Sequence, residues 1–280
     1  MKILKKISFL QIIGWIIALI MLSPLYIMLV NSFKARDEIF TNTLGLPKSF
    51  DFSYYSKAIE KMNFLHALGN SLFITVTSVL LIIGFSSISA WILVRNKSKA
   101  STIIFYLFVI TMLVPFQSIM IPLLQYMSKW GIRGTNFSML DSYYGLIFMY
   151  VGFGLCLSLF LYHGFIKGVP IEMEEAATID GCNMWQVFWK IVFPTLKPIT
   201  VTVAILNVIW IWNDYLLPSL VLRQPDLRTV PLSTFYFFGQ YTIQWNLAMA
   251  GLVLTIIPVI IFYLFAQKHI IKGVMAGAVK

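Results

Sequence analysis

Six stretches of this chain each run for more than twenty residues almost without charge, and that pattern leaves a polypeptide little choice of environment. Residues 9–31, 70–94, 102–127, 143–165, 199–220 and 246–266 contain no Asp, Glu, Lys or Arg apart from Asp214, and His163 is their one histidine. At about 1.5 Å per residue, each is long enough as a helix to cross a hydrocarbon core about 30 Å thick. With 59% of the 280 residues hydrophobic and only 11% charged, a solvated surface could not be covered. The expected fold is an all-α, polytopic membrane protein, residues 1–280 forming one domain of six transmembrane helices.

Residues 9–31 could be mistaken for a signal peptide, but they exceed the usual apolar core of one and no small-x-small cleavage site follows. They are read as an uncleaved first helix. An outer segment, 33–68, carries mixed charge, and its second half, Ser53 to Met62, has helical periodicity expected to lie on the membrane surface. Pro115 and Pro122 fall within 102–127. A proline there frees carbonyls that only protein or a cavity can satisfy, so this helix either lines a pathway or merely bends. Cys156 and Cys182 are too few and too far apart for a disulfide framework or a zinc site.

A net charge of +10 would suggest nucleic acid in a soluble protein. Here the basic residues flank apolar spans, where they set orientation, and no nucleic-acid partner is expected. Twelve of the 21 Lys and Arg fall near the termini, in 95–99 and in 167–197. Five of the remaining nine are spread through 33–68 beside four acids. Both termini and the 167–197 loop are therefore assigned to the cytoplasm, with 33–68 and 221–245 outside.

What the spans lack limits the function. Ion-coupled transporters need ionisable groups at membrane depth, and intramembrane hydrolases need a nucleophile with its base or paired acids. Only His163 and Asp214 are present, both near span ends. No G-x-x-x-x-G-K-[ST] phosphate loop occurs either. If this chain moves a solute actively, energy must arrive through a protein contact.

The 167–197 segment is suited to such a contact. Pro170 fits a first helical turn, Glu172, Glu174 and Glu175 favour its positive dipole end, and Gly181 is a natural stop. Ala176 and Ala177 keep its surface low. Met184, Val187, Phe188 and Ile191 then recur at three- and four-residue spacing, giving a second short amphipathic helix that Pro194 ends. The competing reading is a re-entrant hairpin packed only on its own bundle.

Glu175-Ala176-Ala177, three residues, Gly181, nine residues, Ile191, one residue, Phe193 and Pro194 follow the spacing E-A-A-x3-G-x9-I-x-L-P. The chain thereby resembles the permease subunits of bacterial ATP-binding-cassette importers, with Phe193 in place of leucine as the one departure. Ile179-Asp180-Gly181, Trp185, Phe188, Trp212-Asn213-Asp214-Tyr215 and the end from Gly273 to Lys280 are similar to the carbohydrate branch, of the maltose-transporter type with six-helix permeases. The likeness runs from the first helix to the tail.

That resemblance implies a homologous second permease, a homodimeric or heterodimeric cassette ATPase and an extracytoplasmic sugar-binding protein. ATP and Mg would be held in the partner ATPase, and this chain would bind no cofactor or metal and carry no catalytic residue. It implies that Glu174, Glu175, Ala176, Ala177, Asp180, Gly181, Ile191 and Pro194 form the ATPase-coupling loop. The tail, 267–280, would reach the ATPase through Gly273, Met275, Gly277 and Lys280. The loop 221–245 would meet the binding protein through Phe235, Tyr236, Gln240, Tyr241 and Trp245, whose rings suit sugar stacking and equally suit an interfacial aromatic belt. Asn207, Trp210, Asn213 and Asp214, with Gln117 and Gln125, are candidates for the sugar path, against the reading that the tryptophans are interface anchors and the second permease makes the contacts. The expected function is carbohydrate import across a bacterial cell membrane, of a di- or oligosaccharide. The alternatives are import of another solute, an ion-coupled secondary transporter or a membrane enzyme.

Overall fold

Backbone groups facing hydrocarbon must bond within their own segment, and the apolar runs accordingly fold as helices. The computed structural model describes residues 9–130, 138–238 and 243–278, with side chains described for 10–130, 138–238 and 243–267. The chain divides into two compact units, Met1–Leu65 with Ser233–Pro258, and His66–Leu232 with Val259–Lys280. Among the described residues, four helices are individually long and apolar enough to cross a membrane: α1 (Phe9–Asn31), α4 (Phe64–Arg95), α7 (Tyr143–Ile166) and α14 (Trp245–Ala278). Counting two sharply bent helix pairs as one span each brings the total to six.

In the first unit, α1 leads into α2 (Arg36–Thr41) and α3 (Ser53–Lys61). Lys34 between them is fully buried and donates to the carbonyls of Asn42 and Gly45, the latter at 2.7 Å. Asn31 Nδ2 and the Tyr26 hydroxyl donate to the neighbouring carbonyls of Thr43 and Leu44 at 3.0 and 2.9 Å. Residues 42–45 are thus held by side chains from the C-terminal end of α1 and from just beyond it. In the amphipathic helix α3, Ala58 and Met62 are buried with Phe237, Leu247, Ala248 and Ala250. A protein partner for these two residues is available within the unit, which the periodicity of α3 could not reveal.

The second unit holds most of α4, then α5 (Lys99–Thr111), α6 (Phe116–Met127), α7, α8 (Glu172–Ile179), α9 (Met184–Gln186), α10 (Phe193–Thr195), α11 (Lys197–Asn213), α12 (Leu216–Val221) and most of α13 (Val230–Thr234). The buried face of α4 carries small residues, Ala67, Ser71, Thr75, Ser78, Ser86 and Ala90 among them, which let neighbouring backbones approach closely.

The run 102–127, expected as one kinked span, is two helices bent by 104°. Pro115 has extended backbone, and the amides of Met112, Leu113 and Val114 bond three residues back, closing the end of α5 tightly. Pro122 sits inside α6 without interrupting it. The run 199–220 begins at Lys197, breaks at Asp214 and Tyr215, and resumes as α12. No break separates 246–266 from the tail: α14 is continuous to Ala278.

Candidate coupling site and translocation path

Helix α8 has two chemically distinct faces. Glu172, Glu175, Ala176 and Ile179 recur at three- and four-residue spacing and are exposed, Ile179 at 86%. Glu174 and Ala177 share the opposite face and are buried. Glu174 accepts the Trp91 indole N–H on Oε2 at 2.9 Å, while Oε1 accepts Arg95 Nε at 2.8 Å and Nη2 at 2.6 Å. The same Arg95 Nη2 donates to the carbonyl of Val169 at 3.0 Å. Removing one partner would strand a buried charge, at a cost of about 3 kcal/mol.

The two ends of the hairpin turn are closed by backbone geometry. Gly181, at φ +85°, sends its amide to the carbonyl of Thr178, and the Cys182 amide reaches Ala177, the double bond of a left-handed helix stop. Asn183 and Gln186 then exchange side-chain and backbone bonds at 2.9 Å, capping α9 reciprocally. Beyond it Val187–Val192 is a π-helix in which the Phe193 amide bonds Phe188, five residues back. Pro194 follows without an N–H to offer, and the wider turn precedes it. Val187, Phe188 and Val192 are buried with Ala90, Trp91, Leu159, Tyr162, Ile166 and Ala177, and the rings of Trp91 and Phe188 lie 5.2 Å apart. Met184, Trp185, Asp180, Gly181 and Pro194 are exposed, and Ile191 is half-buried.

The residues expected along a sugar path do not form one cluster. Asn207 is buried and its amide donates to Ser158 Oγ at 3.0 Å and to the carbonyl of Val203 at 2.8 Å, joining α11 to α7. Trp210 is 41% exposed and meets Tyr150 edge to face at 5.5 Å. Asp214 accepts the Tyr150 hydroxyl on Oδ2 and the Leu216 amide on Oδ1, both at 3.0 Å, bridging the break between α11 and α12. Asn213 is exposed and bonds the carbonyl of Ile209; Gln117 and Gln125 are exposed on α6.

The described residues of 221–245 include short helical turns and are tied down by side chains. Asn70 Nδ2, near the N-terminal end of α4, donates to the carbonyls of Asp226 and Arg228 at 2.8 and 3.0 Å, and its Oδ1 accepts the Tyr143 hydroxyl at 2.7 Å. Ser71 Oγ accepts the Val230 amide, and Asp141 accepts that of Arg223. In the other unit, Phe235 and Tyr236 project from a single 3-10 turn at 48% and 53% exposure, and Trp245 is half-buried, edge-on to Phe40 at 5.9 Å. Gln240 and Tyr241 lie outside the described residues, as does Lys280; Gly273, Met275 and Gly277 fall on α14. Local spacing marks Arg95 only as a positive charge and gives Trp91, Asn70 and Tyr143 no distinguishing signal. Their partners lie 73 to 158 residues away, beyond any local spacing.

A helical membrane domain with a polar hairpin docked between long spans defines an integral-membrane transport component. Residues 82–275 match the family of binding-protein-dependent transport system inner membrane components, and the chain belongs to that family. It is a permease subunit and not itself an ATP-hydrolysing enzyme. Over 271 residues, 97% of this chain and 96% of the relative, it is 49% identical to a probable starch degradation products transport system permease protein of Thermoanaerobacterium thermosulfurigenes. A multiple sugar-binding transport system permease of Streptococcus mutans is 37% identical (94% and 93% covered), and a melibiose/raffinose/stachyose import permease of Bacillus subtilis 32% (99% and 98%). The fold is shared with a bacterial transporter that imports the acidic polysaccharide alginate, at TM-score 0.79 and 24% identity over 92% of this chain and 93% of that one.

Proposed function

We propose that this chain is the permease subunit of an ATP-driven importer of di- or oligosaccharides in a bacterial cell membrane. Carbohydrate as substrate is supported by the names of three relatives that each align over at least 94% of this chain. The observation that carries the mechanism is the two-faced helix α8. One face is fixed to α4 through Glu174, while Glu175, Ala176 and Ile179 are left exposed for another protein. That face takes the ATPase, and closure of the ATPase pair moves the hairpin and the spans packed on it. Both termini lie in the cytoplasm. At about 1.5 Å per residue α14 is about 50 Å long, so it extends about 20 Å beyond the hydrocarbon and brings the tail toward the same partner. Phe235 and Tyr236 meet the sugar-binding protein outside, and a second permease completes the path. The chain binds no metal or cofactor of its own.

The test is uptake of labelled oligosaccharides into proteoliposomes holding the full complex with its binding protein. Uptake is expected to require internal or external ATP on the ATPase side and to survive collapse of the ion gradients. Accumulation that persists without ATP, or that is untouched by a Gly181 substitution, would overturn the reading.

A further inference from the structure

Glu174 lies in the loop read as the coupling element, yet it cannot be a docking residue. Its side chain is only 10% exposed, and both carboxylate oxygens are occupied by Trp91 and Arg95 of α4. Arg95 simultaneously holds Val169, so the chain entering α8 and the first turn of α8 are tied to one guanidinium. Bidentate or forked charge-assisted bonds of this kind fix orientation as well as distance. The tie is therefore a joint between the hairpin and the last turn of α4.

The other end of α4 is equally committed. Within the same compact unit, Asn70 binds the carbonyls of Asp226 and Arg228, Ser71 binds the Val230 amide, and His66 bonds the carbonyl of Asp226 at 2.8 Å. The helix that carries both attachments, α4, is unbroken and without proline, 32 residues and about 48 Å long. A continuous helix fixed at both ends moves as a body, whereas the runs 102–127 and 199–220 are broken midway.

We propose that Glu174 is a positioning residue that couples the ATPase-facing hairpin to α4 through Arg95 and Trp91, and that α4 carries the movement to the outer segment 223–230. This rests on the reading of α8 as the coupling helix and adds to it a specific route across the membrane. The two faces of α8 then have separate tasks: Glu175 and Ile179 receive the ATPase, and Glu174 passes the motion on.

The experiment uses the complete complex with its binding protein, carrying Gln224→Cys, exposed on the outer segment, with Cys156 and Cys182 replaced by Ser. The rate of Gln224→Cys labelling by a membrane-impermeant maleimide is measured with and without ATP, alongside ATP hydrolysis and sugar uptake. In the parent, ATP is expected to change the labelling rate. Glu174→Gln is expected to reduce that change about fivefold or more and to lower the sugar carried per ATP, with hydrolysis retained. Arg95→Lys keeps the charge but loses the separate Nε donor to Glu174 and the fixed fork of the guanidinium, and is expected to fall between. A parental labelling response in whichever of the two variants assembles overturns the proposal. Gly181→Val separates the two readings: if it abolishes the labelling response while both joint variants keep it, only the α4 route fails. If it changes neither labelling nor uptake, the coupling reading itself fails.

Discussion

The indole of Trp91 donates to Glu174 Oε2 at 2.9 Å across 83 residues of sequence, and the same ring lies 5.2 Å from Phe188. One residue of α4 thus touches both arms of the 167–197 hairpin. Trp91→Phe keeps an aromatic ring against Phe188 but leaves the buried oxygen one donor short. It is expected to cost about 1–3 kcal/mol, read as a lower melting temperature of the purified complex. An unchanged melt would mean that Oε2 finds water instead.

Gly181 and Ala177 are expected to fail in different ways. A Cβ at Gly181 meets no atom within 4 Å, so a side chain there costs only backbone strain at φ +85°, about 1–2 kcal/mol, and projects outward. Gly181→Val should leave the complex assembled while sugar uptake per ATP hydrolysed drops. Ala177→Phe would instead force a large ring into the core around Phe188 and Val192, and low yield of assembled complex is the expected result.

Gly154 marks a close approach of α7 to α4 and α11. An added Cβ would sit 2.5 Å from Ile82 Cδ1 and 2.7 Å from Asn207 Oδ1. Gly154→Ala is expected to destabilise by about 1–3 kcal/mol, whereas Gly152→Ala, inside the same helix with open space around it, should stabilise by up to about 1 kcal/mol. Thermal unfolding of the two variants side by side decides this.

Asn207 and Trp210 should separate structure from sugar handling. Asn207→Ala removes the bond to Ser158 and is expected to lower stability without altering the KM for uptake. Trp210→Ala, at an exposed indole, is expected to raise the KM and leave the melt near that of the parent.

Phe235 and Tyr236 together expose two rings from a single turn. Replacing both with Ala is expected to abolish stimulation of ATP hydrolysis by the binding protein while basal hydrolysis continues. Full stimulation in the double variant would assign the rings to the membrane interface.

The hydropathy pattern determined the helical membrane class, because hydrocarbon permits little else. The E-A-A-x3-G spacing was enough to mark the 167–197 hairpin, and Gly181 stops α8 in the left-handed conformation that its residue type suggests. These features are local: each depends on residues within a few turns of one another.

Tertiary structure decided which side of that hairpin is available. Glu174 and Glu175 are adjacent acids with the same chemistry, and only the position of Arg95 and Trp91, some eighty residues earlier, puts one inside and leaves the other out. Likewise only placement shows that the Asn207 amide bonds Ser158 of the neighbouring helix, and that Ala58 and Met62 of the amphipathic α3 meet Phe237 and Leu247. Periodicity says that a face will be buried. Which surface buries it depends on contacts between segments far apart in the chain, and no local spacing encodes those.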